Sequence, residues 1–323
     1  MDFSQILGHE KQIESLKGAI KNGTINHCYL FEGEKGLGKK NLALAFSKAI
    51  LCKDNKSPEP CNVCSSCIKF NADNHPDFKL ISPEKGVIKK DEIDKLIKGM
   101  ATTPFEGNKK VFVIDSSDMI RIDGQNRILK TLEEPPNYIN IILITSNSTK
   151  LIPTILSRCQ IIKFYPIRNS KIIDLLVKEY GLHIDKAKFI ADFSKGSVEK
   201  SIELANSEDF FQKREETISI IDSLLNGDKV KALTSMDFFN ENKENIEEIL
   251  DIIIYWFRDL LIYKEIGETP VLTNNDKVEM LSRQSFIDFT RINDIIYKIE
   301  DTKNNIRRNV NFGLSLETML LSI

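Results

Sequence analysis

The feature that most constrains this chain is a glycine-rich segment, residues 33–40, which reads GEKGLGKK. It follows the phosphate-binding loop (P-loop) pattern G-x-x-x-x-G-K-[ST], in which backbone N–H groups surround phosphates and the lysine reaches the terminal ones. The apolar run 28–31 before it predicts a buried strand, and the apolar spacing of 41–51 predicts a helix after it. Similar strand and helix signals alternate as far as residue 164, which predicts an α/β fold with a parallel sheet covered on both faces.

The loop keeps the residues that hold phosphates and lacks the one that holds magnesium. Where the pattern has a serine or threonine oxygen for Mg²⁺, this chain has Lys40, and an ammonium group repels the ion. The sequence therefore disfavours Mg²⁺ binding and efficient hydrolysis, and leaves open whether ATP binds without turnover. The candidate phosphate-binding residues are Gly33, Gly36, Gly38 and Lys39.

A second catalytic position is also altered. The predicted strand 110–114 is followed by Asp115, where a P-loop ATPase places the aspartate that supports magnesium. Working ATPases of this kind continue with a glutamate that polarises the attacking water, whereas this chain has Ser116. The alternative is that Asp115 merely ends a strand. Losing both the metal position and the base position argues against selection for hydrolysis.

Four of the six cysteines fall within residues 52–67. Two C-x-x-C steps share a central cysteine, and a fourth thiol lies nine residues upstream of them. This spacing is typical of a tetrahedral zinc site with Zn–S distances of about 2.3 Å. Four thiolates leave no open position, so the predicted zinc is structural; the alternative is a set of reduced thiols on a surface loop. The predicted ligands are Cys52, Cys61, Cys64 and Cys67.

Three further residues could be mistaken for parts of this site. His75, in the NHPD segment 74–77, is predicted to be a turn residue because four cysteines already fill a zinc shell. Cys28 and Cys159 lie apart from the cluster and are predicted to be small buried hydrophobic residues.

The rest of the chain has the apolar spacing of helices. Pro166 marks the first boundary, after which residues 171–205 predict a small helical unit and residues from about 210 to the end predict an all-helical one. The apolar helix face around Trp256 is assigned to core packing rather than ligand binding. The predicted domains are 1–165, 166–207 and 208–323.

Composition limits the cellular setting and the partners. With 41% hydrophobic and 28% charged residues, no apolar run approaches the length of a membrane span, and no leader with a basic region and an apolar stretch opens the chain. We therefore expect a cytoplasmic protein without membrane contact. The net charge of −2 provides no bulk attraction to nucleic acid, so DNA contact must come from local patches or from partner subunits.

Taken together, these motifs resemble those of the delta-prime family of clamp-loader subunits of bacterial DNA polymerase III. The resemblance implies an AAA+ domain with an inserted zinc module, a small helical lid domain and a helical collar domain. It also implies a heteropentamer with delta and three gamma/tau subunits, which uses ATP to open the sliding clamp and place it on primed DNA, and in which delta-prime does not hydrolyse ATP. The segments that carry it are 33–40, 52–67, NHPD at 74–77, LKTLEEPP at 129–136 and SRC at 157–159.

The same resemblance assigns roles to single residues. Gamma and tau subunits have Lys-Ser or Lys-Thr in the loop and Asp-Glu after the strand, where this chain has Lys40 and Ser116. Asn147 falls at the sensor-1 position, and Lys200 falls near the sensor-2 arginine of the lid. Arg158, in the SRC segment, is implied to act as an arginine finger at the neighbouring subunit's ATP site; a surface ion pair is the alternative for a lone arginine.

Three functions are consistent with some of these features. The favoured one is a non-hydrolysing assembly subunit that acts on a neighbour's nucleotide. The second is a catalytically active AAA+ motor subunit of the gamma/tau kind. The third, a zinc-dependent nucleic-acid adaptor, is disfavoured because the chain is not basic and no aromatic run interleaves with lysines.

Overall fold

The computed structural model describes residues 2–54, 57–84 and 86–323. Its internal contacts divide the chain into two compact units, Met1–Ile172 with Ser194–Lys200, and Ile173–Phe193 with Ser201–Ile323. The segment 166–207 is thus shared between the two units, and the three-domain division stays a prediction. Within the cysteine segment 52–67, positions 55 and 56 lie outside the described residues.

A five-stranded parallel sheet forms the centre of the first unit, in the order β2-β3-β4-β1-β5. β3 and β4 are buried along their whole length, because neighbouring strands flank them and helices cover both faces. This confirms the predicted α/β class. The strands are β1 (Cys28–Glu32), β2 (Phe78–Ile81), β3 (Lys110–Ile114), β4 (Ile139–Thr145) and β5 (Gln160–Lys163).

Alternate side chains of these strands supply two separate apolar clusters, one on each face of the sheet. Phe31 and Val113 belong to one cluster, and Leu30 and Phe112 to the other, as the two-residue period of a strand requires. The helices up to residue 165 are α1 (Glu10–Asn22), α2 (Lys39–Leu51), α3 (Ser65–Asn71), α4 (Lys90–Met100), α5 (Ile122–Glu133) and α6 (Pro153–Leu156).

The two cysteines outside the cluster differ in exposure. Cys28, at the start of β1, is fully buried, which confirms the prediction for that residue. The prediction is wrong for Cys159, which stays partly exposed because it immediately precedes β5, an edge strand.

The remaining helices are α7 (Asn169–Tyr180), α8 (Ile184–Phe193), α9 (Val198–Ala205), α10 (Glu208–Leu225), α11 (Lys229–Thr234), α12 (Met236–Glu241), α13 (Ile246–Ile266), α14 (Val278–Gln284), α15 (Phe289–Arg307) and α16 (Phe312–Leu320). Trp256 is fully buried in the core of the second unit, and its indole Nε1 donates to Gln284 Oε1 at 2.8 Å. The packing role predicted for this residue is confirmed. None of the described helices combines the length and apolar character needed to cross a membrane.

Candidate functional site

The carboxyl ends of β1, β3 and β4 bring the predicted nucleotide-site residues to one edge of the sheet. The P-loop follows β1, Asp115 follows β3 and Asn147 lies just after β4. These three strands are adjacent in the order β3-β4-β1, so the segments that follow them converge. Open parallel sheets place ligand sites at this edge.

The lysine of the P-loop is hydrogen-bonded to carbonyl groups of the loop itself. Gly36 and Gly38 have φ values of 81° and 83°, in the left-handed region that favours glycine. The Nζ of Lys39 donates to the carbonyl oxygens of Gly33 at 2.6 Å and Glu34 at 2.5 Å. Burial lowers the pKa of the Lys39 ammonium, and the nearby carboxylate of Asp115 opposes that shift. The lysine expected to meet phosphate is thus bonded inside the loop.

Lys40 forms an ion pair with the carboxylate predicted to support magnesium. Its Nζ lies 3.2 Å from Asp115 Oδ2, and the side chains are 44% and 21% exposed, respectively. Ser116 has a left-handed backbone with φ 53°, and its Oγ lies 3.5 Å from Asp115 Oδ1. The hydroxyl of Ser116 cannot act as the general base that a glutamate carboxylate provides at this position. A cation from the chain itself therefore neutralises Asp115, and a general base is missing from the position after it.

The segment 194–200 lies against the P-loop within the first unit. Ser197 Oγ and the backbone N–H of Glu199 both donate to Gly36 O, each at 3.2 Å, while Lys200 N donates to Ser197 Oγ at 3.2 Å. A Cβ at Gly36 would lie 2.1 Å from Ser197 Oγ, so this glycine is required by the close approach as well as by its φ. The sequence indicated only a turn here and gave no sign of the contact with the loop.

Asn147 has a local hydrogen-bonding role. Its Oδ1 accepts from the backbone N of Thr149 at 3.0 Å and from Thr149 Oγ1 at 2.6 Å, which caps a short 3-10 helix, Ser148–Lys150. The buried carboxylate at this edge is instead Asp118, which accepts from Thr145 Oγ1 at 3.0 Å. Sequence reasoning missed Asp118 because it lies outside the predicted strand, in a short 3-10 helix, Ser117–Met119. The sensor-1 role of Asn147 stays a prediction.

The P-loop is also hydrogen-bonded to a buried histidine, His9. The sequence reasoning did not single out this residue. His9 Nε2 donates to Leu37 O at 2.8 Å, and its ring packs edge-on against Phe164 with centroids 4.7 Å apart. Burial lowers the pKa of His9. The neutral imidazole is therefore the form that the folded loop favours.

This burial predicts an acid-sensitive first unit. The unfolded chain takes up a proton at His9 near pH 6.5, above the lowered folded pKa, so the contribution of this residue to stability is complete above about pH 6.5 and declines below it. Urea midpoints measured at pH 7.5 and 5.5 should differ more for the parent chain than for His9→Gln. His183→Gln, at an exposed histidine, is the matched control and should keep the parental difference. An unchanged pH dependence in His9→Gln would contradict the assignment.

The four predicted cysteine ligands come together in the fold. Cys52 caps the end of α2, Cys64 caps the start of α3, and the Sγ atoms of these two and of Cys61 and Cys67 all lie within 4.8 Å of one another. Four sulfurs around a tetrahedral zinc ion lie about 3.8 Å apart, so the cluster fits such an ion after small shifts.

Backbone N–H groups donate to three of the four sulfurs, which favours negative charge on them, whereas burial raises the pKa of Cys52 and Cys67. Cys61 N donates to Cys52 Sγ, Cys64 N to Cys61 Sγ and Cys67 N to Cys64 Sγ, each at 3.4 Å. Although burial raises the pKa of Cys64, backbone N–H bonds, first that of Cys67, lower it to about 6. The arrangement is a closed metal-binding set with four sulfur donors.

His75 is a structural residue, as predicted. Its Nδ1 accepts from Asp77 N at 3.1 Å and its Nε2 bonds Ser66 Oγ at 2.8 Å, so both ring nitrogens are engaged. Ser66 Oγ donates onward to Leu51 O at 2.6 Å. The histidine thus links the start of β2 to the two helices that carry Cys52 and Cys64.

Arg158 lies far from the P-loop of its own chain. Its Nη2 is 2.9 Å from Glu133 Oε1 and its Nη1 donates to Thr154 O at 2.9 Å; its side chain is 33% exposed. Arg158 precedes β5, whose Gln160 pairs with Tyr29 at the beginning of β1, whereas the P-loop follows the end of β1. The five residues of β1 separate the two edges by roughly 13 Å.

The parallel sheet, the P-loop at its carboxyl edge and the succeeding helical segments define a P-loop protein of the AAA+ class. A family model described as "DNA polymerase III, delta subunit" matches residues 8–168, and one for the C-terminal part of the delta subunit matches residues 208–323. The delta' subunit of DNA polymerase III from Bacillus subtilis is 30% identical over 95% of this chain and 94% of its own length. The chain belongs to the delta-prime family of DNA polymerase III clamp-loader subunits.

Subunits of the gamma/tau kind are similar as well. The tau subunit of DNA polymerase III from Bacillus subtilis is 32% identical over 87% of this chain and 54% of its own length. The gamma/tau subunit from Mycoplasma genitalium is 29% identical over 99% of this chain and 56% of its own length. The chain thus spans just over half the length of these two relatives.

Proposed function

We propose that this chain is a non-hydrolysing subunit of the clamp loader and supplies Arg158 to the ATP site of a neighbouring subunit. The observation that carries the first half is the ion pair between Lys40 and Asp115, at 3.2 Å. An ammonium group bonded to the carboxylate that would support magnesium competes with the metal by charge and by position. Ser116 leaves the attacking water without a carboxylate base.

The second half is supported by the position of Arg158. Its separation from the P-loop of its own chain argues against a target in cis, while its partly exposed guanidinium, paired with Glu133, lies at the surface of the first unit. A guanidinium is planar and permanently charged, which suits a phosphate whose charge spreads in the transition state. A subunit without its own hydrolysis still has use for such a group if the target belongs to a neighbour.

We further propose the setting in which this subunit works. Its partners are delta and gamma/tau subunits in a heteropentamer, and it reaches the sliding clamp and primed DNA through that complex, in the cytoplasm. The metal at the cysteine cluster is Zn²⁺, because four sulfur donors in a closed shell match the preferences of that ion. The zinc supports the fold and takes no part in chemistry.

The alternative is an active motor subunit of the gamma/tau kind. It is favoured by one observation, the 32% identity to the tau subunit from Bacillus subtilis. It requires Lys40 to release Asp115 and a residue other than Ser116 to orient the attacking water. Both requirements make it the second candidate.

ATP turnover by the purified chain separates the two. Because both the metal ligand and the base are replaced, we expect Mg²⁺-dependent turnover no faster than that of Lys39→Ala. Equilibrium binding of ATP, measured beside turnover with and without Mg²⁺, tests separately whether the loop holds nucleotide. Turnover in the parent chain that Lys39→Ala abolishes would support the motor alternative and overturn the proposal.

A further inference from the structure

Two thiols outside the metal cluster meet at the amino-terminal edge of the sheet. The Sγ atoms of Cys28 and Cys159 lie 2.7 Å apart, although the residues are separated by 131 positions in sequence. Cys28 is fully buried and Cys159 is partly exposed. The pair therefore has one member that solvent reaches and one that lies behind it.

The strand register places the two backbones at a suitable spacing. Tyr29 of β1 pairs with Gln160 of β5 in parallel register, so Cys28 and Cys159 are the positions immediately before that pair on adjacent chain segments. Neighbouring strands lie about 4.8 Å apart, within the roughly 4.4–6.8 Å between Cα atoms that a disulfide requires. The link needs side-chain adjustment and no rearrangement of the sheet.

We propose that Cys28 and Cys159 are a redox modification site that forms a reversible intramolecular disulfide when the chain meets a peroxide. This inference is independent of the roles proposed above for the P-loop and Arg158, and it rests on the cytoplasmic setting proposed there. Persistent disulfides are rare in reducing compartments, where those that form are usually transient and respond to oxidants. Burial raises the pKa of the Cys28 thiol, and the neighbouring Cys159 raises it further, so the reaction begins at Cys159, the partly exposed partner.

The chemistry uses hydrogen peroxide as the two-electron oxidant. The Cys159 thiolate attacks one peroxide oxygen, the O–O bond breaks, and the sulfur becomes a sulfenic acid as the departing hydroxide takes up a proton to form water. The Cys28 sulfur then attacks the sulfenic sulfur, loses its proton and displaces hydroxide, which leaves as the second water. Two thiols and one peroxide thus give one disulfide and two waters.

The disulfide would join two segments that matter elsewhere in the fold. Cys28 begins the strand that leads into the P-loop, and Cys159 directly follows Arg158. Oxidation would therefore tie the backbone next to the arginine to the central part of the sheet. The four clustered cysteines are a separate set, and metal bound to them would protect their sulfurs during the same treatment.

The test uses the full chain loaded with Zn²⁺ and treated with an equimolar amount of hydrogen peroxide. After acid quenching, free thiols are alkylated in denaturant and peptides are mapped by mass spectrometry. We expect one cross-linked species joining the peptides of Cys28 and Cys159, a mass loss of about 2 Da for the two hydrogens removed, and recovery of both thiols with dithiothreitol. The four cluster cysteines should be recovered as alkylated thiols, because the bound metal protects them from the peroxide.

Two variants identify the partners. In Cys159→Ser, changed at the partly exposed position, Cys28 should stay fully alkylatable after the same treatment. In Cys28→Ala, Cys159 should be trapped as sulfenic acid by dimedone because its resolving thiol is gone. The proposal is overturned if Cys28 of the parent chain stays alkylatable, or if Cys159 proceeds to sulfinic acid without forming the cross-link.

Discussion

ATP hydrolysis at the site that receives Arg158 is expected to fall by roughly 10³–10⁵-fold when Arg158→Ala replaces the parent chain in a reconstituted clamp loader. In the proposed role, the guanidinium stabilises charge that grows on the γ-phosphate in the transition state, and alanine provides neither charge nor donors. Folding should be unaffected, because alanine removes only a partly exposed ion pair with Glu133 and one hydrogen bond to Thr154 O. Clamp loading should slow accordingly.

The measurement must resolve one ATP site, since the unaffected sites of the complex continue to turn over. Single-turnover hydrolysis with labelled ATP separates the slow site from the others. Arg158→Lys should rescue poorly, because a point charge lacks the planar fork of the guanidinium. Arg127→Ala is a matched control, since Arg127 also forms an exposed ion pair, with Asp94 at 2.5 Å, and should leave the rate unchanged. Hydrolysis and clamp loading at the parental rate in Arg158→Ala would contradict the proposed role, and Arg158 would then be only a surface ion-pair residue.

Removal of the metal is expected to have the largest effect on stability. The freshly purified, reduced chain should contain close to one Zn²⁺, and binding free energies of structural zinc sites in small modules reach about 10–16 kcal/mol. Loss of the ion removes the bonds that hold the four cysteines together between α2 and α3. The segment 52–67 should therefore unfold before the sheet does.

Metal analysis and hydrogen exchange test this expectation directly. After chelation, amides of α3 should exchange rapidly while those of β3 and β4 remain protected. Cys64→Ser should lose both the metal and the protection of α3. Cys159→Ser is the matched control, because it changes a thiol outside the cluster, and should retain one Zn²⁺. A chain that contains no zinc after reducing purification would contradict the assignment.

The features that the sequence predicted well are local ones. The P-loop, the buried strands and the cysteine spacing are each written in a short segment, because glycine conformation, strand burial and C-x-x-C geometry depend on nearby residues. The zinc-type cluster needed only that Cys52, at the end of one helix, lie near Cys64, at the start of the next.

The contacts that were not predicted depend on sheet order and on distant segments. Lys40 meets Asp115 because β3 lies two strands from β1, a fact that residue spacing does not contain. Ser197 reaches Gly36 across 161 positions, and His9 reaches Leu37 across 28. A polar residue of this kind carries no periodic signal, so its partner becomes visible only once the chain is folded.

Glu133 gives Arg158 a defined orientation before any neighbour arrives. It is the last residue of α5, directly ahead of the turn into Pro135 and Pro136, so its carboxylate is carried by a fixed helix end. Ordering a long side chain during association costs about 0.5–1.5 kcal/mol, and a partly ordered arginine has already lost some of that freedom. Releasing an exposed ion pair costs about 0–1 kcal/mol. The two terms are similar in size, so in the proposed role the exchange of the Glu133 carboxylate for a phosphate would be close to neutral apart from the attraction of the phosphate itself.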